Sequence, residues 1–142
     1  MNQLKIKFIK YFSFLVRINI LLWMLSMPSF AKQKQINDSK LVVETLIVAM
    51  QKNDAKQIRS TFAKNASQVY GAGTPNKGSD FWSWLENDVI SAKAKVNRPV
   101  YFVEGDRVVV KGIIENSRGY RNKANFLFVV RDNKIISWVI RY

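Results

Sequence analysis

The stretch that decides the fold is Arg107–Glu115, RVVVKGIIE, read together with Asn125–Tyr142, NFLFVVRDNKIISWVIRY. In the first, Val108, Val110, Gly112 and Ile114 fall on one side of a strand, while Val109 and Ile113 fall on the other. The second repeats the pattern, with Phe126, Phe128 and Val130 opposite Leu127 and Val129. An antiparallel sheet with one wet face alternates apolar with polar. These strands are apolar on both faces, so both faces are expected to be covered. One cover is the helices that precede them. The other is expected to be a second copy of the chain, docked on Val109, Ile113, Leu127, Val129 and Val139 as a homodimer face.

Working outward, the apolar segments number four: Arg98–Glu104, Arg107–Glu115, Ala124–Arg131 and Lys134–Tyr142. Gly105-Asp106, residues 116–123 and Asp132-Asn133 join them, and short turn-forming links predict a meander of antiparallel neighbours. Upstream, Asn37 and Asp38 are candidate caps for a helix reaching about Lys52, with Val43, Leu46, Ile47 and Met50 on one stripe. Asn53-Asp54 breaks it. Asp54 with Gln57 resembles a capping box and opens a shorter helix that buries Ala55, Ile58 and Phe62. Ser67–Tyr70 reads as a brief strand. After the glycine-rich loop Gly71–Gly78, Ser79 or Asp80 is expected to cap a third helix to about Ala92. Phe81, Trp82, Trp84, Leu85, Val89 and Ile90 spread around that helix and predict that it is nearly enclosed.

This order of elements resembles the nuclear transport factor 2-like superfamily, in its SnoaL-like, ketosteroid-isomerase-like bacterial branch. The matching text is VAMQKNDAKQIRSTF for the helix–Asn-Asp–helix start, KGSDFWSWL for the third helix, and DRVVVKGIIE with NFLFVVRDNKIISWVIRY for the closing strands. The resemblance implies an α+β fold: N-terminal helices packed on a strongly curved antiparallel sheet, a cystatin-like cone, forming a single domain over residues 37–142. Such cones often hold a ligand pocket, and many relatives dimerise through the outer sheet face. On that analogy Tyr70, Trp82, Trp84, Phe102, Phe126, Phe128 and Trp138 are candidates to line the pocket. Aromatics at helical and strand spacing also make plain core, and a solid cone is the alternative.

Residues 1–31 are unlike the rest. Lys5, Lys7 and Lys10 make a basic start, Ile18–Met27 is an apolar run, and Ser29-Phe30-Ala31 offers small residues where a signal peptidase reads. They are expected to be a secretory signal peptide cleaved between Ala31 and Lys32, giving an exported, periplasmic domain. An uncleaved Phe8–Met27 anchor in the inner membrane is the alternative, disfavoured by Arg17 near the apolar run. Lys32–Ile36 is expected to be a disordered leader.

The 142 residues hold 23 Lys and Arg against 10 Asp and Glu, a formal charge of +13. Four of the cations and none of the acids precede Lys32, so the remainder carries +9. That surface favours acidic partners. Nucleic acid is not expected, because the cations are scattered rather than interleaved with exposed aromatics. The densest cationic group, Arg118, Arg121 and Lys123, surrounds a predicted hairpin turn.

The chain has neither His nor Cys. Catalysis by a Ser-His or Cys-His pair is therefore excluded, and so are the His-dependent dehydratases of the resembled fold. Only an oxygen-ligated metal site is open to it; the acids are dispersed, so no metal and no cofactor are expected. The glycine loop fails the Walker pattern at Asn76 and Gly78 and the dinucleotide pattern at Asn76. The resemblance puts a carboxylate base after the second helix, but Ser67–Gly71 contains no acid. Tyr70, Asp88 and Tyr101 are a substitute set for proton transfer that no spacing demands. The expected function is thus a non-catalytic, exported binding module for a small apolar or amphipathic ligand or a protein partner. The alternatives are an isomerase-like enzyme and a membrane-anchored adaptor of a secretion complex.

Overall fold

The computed structural model describes residues 28–141. The basic start and apolar run of the expected signal peptide, and the Phe8–Met27 anchor, lie outside the described residues. No helix among the described residues is long and apolar enough to cross a membrane.

Helix α1 spans Pro28–Lys52, and the compact unit of the chain begins within it at Gln35. Residues 32–36 are therefore helical rather than a disordered leader, and Asn37 and Asp38 lie inside the helix instead of capping it. The reason is local: proline suits a first helical position, and the Ala, Lys and Gln that follow are good helix formers. Val43, Leu46, Ile47 and Met50 are the buried stripe, each at most 1% exposed. Asn53 ends the helix in the left-handed region, with its amide bonded to the Met50 carbonyl and that of Asp54 to Ala49, the double closure of a Schellman motif. Helix α2, Ala55–Ser60, follows at once, and the Asp54 carboxylate accepts from the Gln57 amide at 2.9 Å.

Strand β1 is Phe62–Tyr70, longer than the four residues expected, and β2 is the two-residue Asn76–Lys77. Helix α3, Ser79–Trp84, passes directly into a π-helical segment, Leu85–Ile90. Its cap position is Gly78, at φ 55°, with no side-chain cap bond; Ser79 is already helical. The left-handed turn at Gly78 takes the place of the expected Ser79 or Asp80 cap. Phe81 and Leu85 are fully buried, and Trp84 and Val89 nearly so.

Strands β3 (Lys95–Glu104), β4 (Arg107–Glu115), β5 (Arg121–Arg131) and β6 (Lys134–Ile140) form the expected antiparallel meander. The sheet order is β2-β1-β6-β5-β4-β3, with β1 parallel to β6. Register shifts interrupt three of the pairings: β1 with β6, β3 with β4, and β5 with β6. Such bulges bend and twist a sheet. At the β3 bulge Arg98 sits at φ 52°. Gly112 of β4 faces it: a Cβ there would meet the Asn97 carbonyl oxygen at 2.7 Å. The bulge thus needs glycine opposite it.

The inner face carries Val108, Val110, Phe126, Phe128 and Trp138, all buried in one cluster with the α1 stripe. The outer face carries all five residues expected at a dimer contact, with Ile113 set apart from the other four by the Lys111 row. Val109, Leu127 and Val139 pair in register, and Phe102 and Val69 extend their row to five strands. Val129 lies in the next row, opposite Arg107, and Ile113 lies opposite Lys123.

Candidate functional site

Trp138 is the hub of the interior. Its ring lies 4.9 Å from Phe128, 5.1 Å from Trp84, 5.3 Å from Phe126 and 6.1 Å from Phe62, centroid to centroid. Beside this cluster is a cavity of about 280 Å³. Tyr70, Trp84, Phe126 and Trp138 line it, together with Met50, Val89, Ala94, Ile114 and Ile140. Asp88, Asn116 and Tyr120 add its polar groups.

Four of the seven expected lining residues are therefore at the cavity and three are not. Phe128, at 0% exposure, is filler within the core. Trp82 packs edge-on against Phe81 at 5.1 Å and is outside the cavity lining. Phe102 is a correction: it is 54% exposed, because its register partner is the outer-face Val109. Period-two alternation fixes a side only once the bulge is known, and the β3 bulge precedes Phe102. Asn116 and Tyr120 were missed, because they sit in the β4–β5 turn and no periodicity reaches them.

The polar groups have distinct roles. Trp84 Nε1 donates to the Tyr70 hydroxyl at 2.9 Å, which fixes both rings. Gln68 is completely buried; its Oε1 accepts from Asn76 Nδ2 at 2.8 Å, which ties β2 to β1. Gln68 Nε2 and Trp138 Nε1 are buried donors with no hydrogen-bond partner among the described residues. Buried donors left unmatched are costly. The Asn116 side chain accepts from the amides of Arg118 and Tyr120 and so shapes the turn. Arg118 reaches back to the π-helical segment, 3.6 Å from the Asp88 carboxylate and bonded to the Asn87 carbonyl at 2.7 Å. The Asp88 side chain is half exposed, so the acid of this cavity is solvated and charge-paired.

Of the substitute set for proton transfer, Tyr70 and Asp88 share the cavity, and Tyr101 is not among its lining residues. Tyr101 has Lys40 of α1 6.0 Å from its ring centre. Burial, helped by the Glu44 charge, pushes its phenol above the ordinary value. Across α2 and the π-helical segment, Arg59 bonds Glu86 through both carboxylate oxygens. That hydrogen bond holds the Glu86 carboxyl below its usual range and raises the guanidinium. No group of three acids among the described residues is placed to hold a metal.

No protein-family profile and no curated protein matches the chain. Solved structures do. A candidate polyketide cyclase from Xanthomonas campestris pv. campestris superposes with a TM-score of 0.64 at 17% identity, covering 76% of this chain and 92% of that one. An NTF2-like protein of unknown function from Cytophaga hutchinsonii gives 0.62 at 20% identity, covering 72% and 87%. A Mycobacterium tuberculosis protein solved in complex with estradiol-17β-hemisuccinate gives 0.60 at 12% identity, covering 72% and 92%. With helices at the N-terminus packed on a bent, six-stranded sheet, the chain has the nuclear transport factor 2-like fold, shared with NTF2-like proteins and SnoaL-like polyketide cyclases.

Proposed function

We propose that the protein is a non-catalytic binding module that takes a small apolar or amphipathic molecule into the Trp138 cavity. The observation that carries this reading is a cavity with a mostly apolar wall that includes Trp84, Phe126 and Trp138, and with Asp88, Asn116 and Tyr120 as its few polar groups. Ligand sites have this composition, mostly apolar with few polar groups that orient the guest. At about 280 Å³ the cavity stands at the small end of ligand pockets, roughly 300–1,000 Å³. It suits a one- or two-ring compound with a hydrogen-bond acceptor. The steroid conjugate held by the Mycobacterium tuberculosis protein supports an amphipathic guest in this fold. Catalysis is disfavoured by the sequence and the geometry together: no His or Cys, no acid in Ser67–Gly71, and an Asp88 already bridged to Arg118.

Trp84 and Trp138 both border the cavity, so occupancy is readable by fluorescence. Titration of the purified protein with a panel of one- to three-ring ketones, phenols and esters is expected to quench or shift indole emission saturably and to raise the melting temperature. A panel that changes neither signal would overturn the reading.

A second reading, proton transfer, is favoured by one fact: Tyr70 and Asp88 meet at the same cavity. Turnover of a cavity ligand that disappears in Asp88→Asn would establish it. We also propose that residues 1–31 direct export and are removed between Ala31 and Lys32. N-terminal sequencing of protein recovered from the periplasm decides this; a chain still beginning at Met1 and sedimenting with membranes would favour the anchor.

A further inference from the structure

The Trp138 cavity adjoins a second recess at the end of the sheet. Strand β6 stops pairing with β5 at Ile140, opposite Phe126, whereas β5 begins five residues earlier, at Arg121. Residues 122–125 of β5 therefore have β4 on one side and no strand on the other, apart from the Arg141 amide bonded to the Asn125 carbonyl at 2.8 Å. A hollow wraps this open edge, and its lining follows the pleat. Ala124, Phe126 and Ile140 belong to the inner face, whereas Lys123 and Arg141, each one residue along, turn to the outer face and are exposed. Ile114, Tyr120, Phe126 and Ile140 line both the hollow and the cavity, so the rim of one is the mouth of the other.

The charge at this rim is one-sided. Lys111, Lys123 and Arg141 line the hollow with no acid among them, and none of the three has an ion-pair partner among the described residues. Lys111 is held over the Phe102 ring, its Nζ 5.5 Å from the centroid, which leaves Lys123 and Arg141 to meet a guest. Inside the cavity, Asp88 is matched by Arg118. A further hollow, on the other side of Tyr120, carries Lys93 and Lys95 but differs in two ways. Glu115 and Arg121 line it too and pair with each other, and it meets the cavity only at Asn116 and Tyr120.

We propose, resting on the binding function inferred above, that the guest is an acidic amphiphile. Its apolar body lies in the Trp138 cavity, and a single anionic head group crosses the open edge of β5 to Lys123 and Arg141. A hydrogen bond from Lys or Arg to an anionic oxygen is roughly twice as strong as one between neutral groups. Cations at an apolar mouth also attract an anion across low-dielectric walls, where the field is screened less than in open water. A neutral guest of the same shape gains only the body site. A cationic guest meets repulsion at the rim.

The test is isothermal titration calorimetry of the purified protein with 4-phenylbutyrate and 6-phenylhexanoate, each beside its own neutral amide. At neutral pH and low salt the better acid is expected to bind about tenfold or more tightly than its amide, with the ratio shrinking as salt is added. In Lys123→Gln/Arg141→Gln the ratio is expected to fall towards one while the amide binds as before; unchanged amide binding also shows that the variant is folded. Lys93→Gln/Lys95→Gln removes the same charge from the hollow across Tyr120 and is expected to keep the ratio. An acid that binds no better than its amide would overturn the acidic guest and leave the binding function standing. Equal losses of the ratio in the two charge variants would mean attraction by the overall positive field and overturn the rim site. Binding of neither acid nor amide would remove the binding function and this proposal together.

Discussion

Replacing Gly112 by alanine tests the account of how the sheet bends. The new Cβ would lie 2.7 Å from the Asn97 carbonyl oxygen, 3.2 Å from that of Arg98 and 3.2 Å from Val96 Cγ1. Two of the three obstacles are backbone, in a bulge whose Arg98 already holds a positive φ, so no side-chain rotation relieves them. Overpacking of this kind costs about 1–3 kcal/mol, and the backbone contact puts Gly112→Ala in the upper half of that range, about 2–3. An unfolding entropy of about 2.1 cal/mol/K per residue, over the roughly 110 residues of the compact unit, gives about 0.23 kcal/mol/K. The melting temperature should therefore fall by about 9–13 °C, read by far-UV circular dichroism. Gly105 provides the contrast: its φ is 59° and a Cβ there meets nothing within 4 Å. Gly105→Asn, a residue that tolerates this region, should melt within about 3 °C of the parent, since it adds no clash. If Gly112→Ala also melts within that margin, the bulge does not need glycine opposite it and the reasoning fails.

Leu46→Ala removes a completely buried side chain from the α1 stripe and should cost about 2.7–5 kcal/mol, whereas Leu46→Met should cost less than about 1.5; chemical denaturation measures both. Tyr70→Phe strips Trp84 Nε1 of its acceptor. It should destabilise by about 1–2 kcal/mol and shift Trp84 emission, a change absent if the bond does not form in solution. The Glu86 carboxyl is held below its ordinary value by Arg59, so it contributes stability above the unfolded carboxyl's pKa of about 4.3 and loses it as pH falls through the folded value. Glu86→Gln should melt slightly below the parent at neutral pH, with the gap closing in acid; the gap is small because the pair is exposed. A gap that widens in acid would reverse the assignment.

The meander and the two-sided apolar character of β4 and β5 were legible because period-two alternation there is strong and unbroken. The cap at Asp54 was legible for the same local reason. Pairing of β1 with β6 was not, since nothing near Phe62–Tyr70 encodes a partner so distant in sequence. A third of the cavity lining could be read from aromatics on known faces: Tyr70, Trp84, Phe126 and Trp138. Asn116 and Tyr120 enter it through a turn whose shape depends on the Asn116 side chain. Phe102 was misplaced because a single inserted residue reverses which side a strand presents. The outer face shows the same limit: its apolar residues were legible one by one, but only register lines Phe102, Val109, Leu127, Val139 and Val69 up in one row.

The position of β6 has a kinetic consequence. It lies between β5 and β1, yet it is the last of these strands to be synthesised. Its register partner for Phe62 is Ile135, 73 positions downstream. Until β6 emerges, β1 has only the two-residue β2 beside it and the Trp138 hub is missing from the interior. Closing so long a loop makes early partial structure unprofitable and folding slow and concerted. A nascent chain of this protein should therefore stay open until β6 has emerged. Such a delay would suit the export proposed above, because a chain must be threaded before it folds.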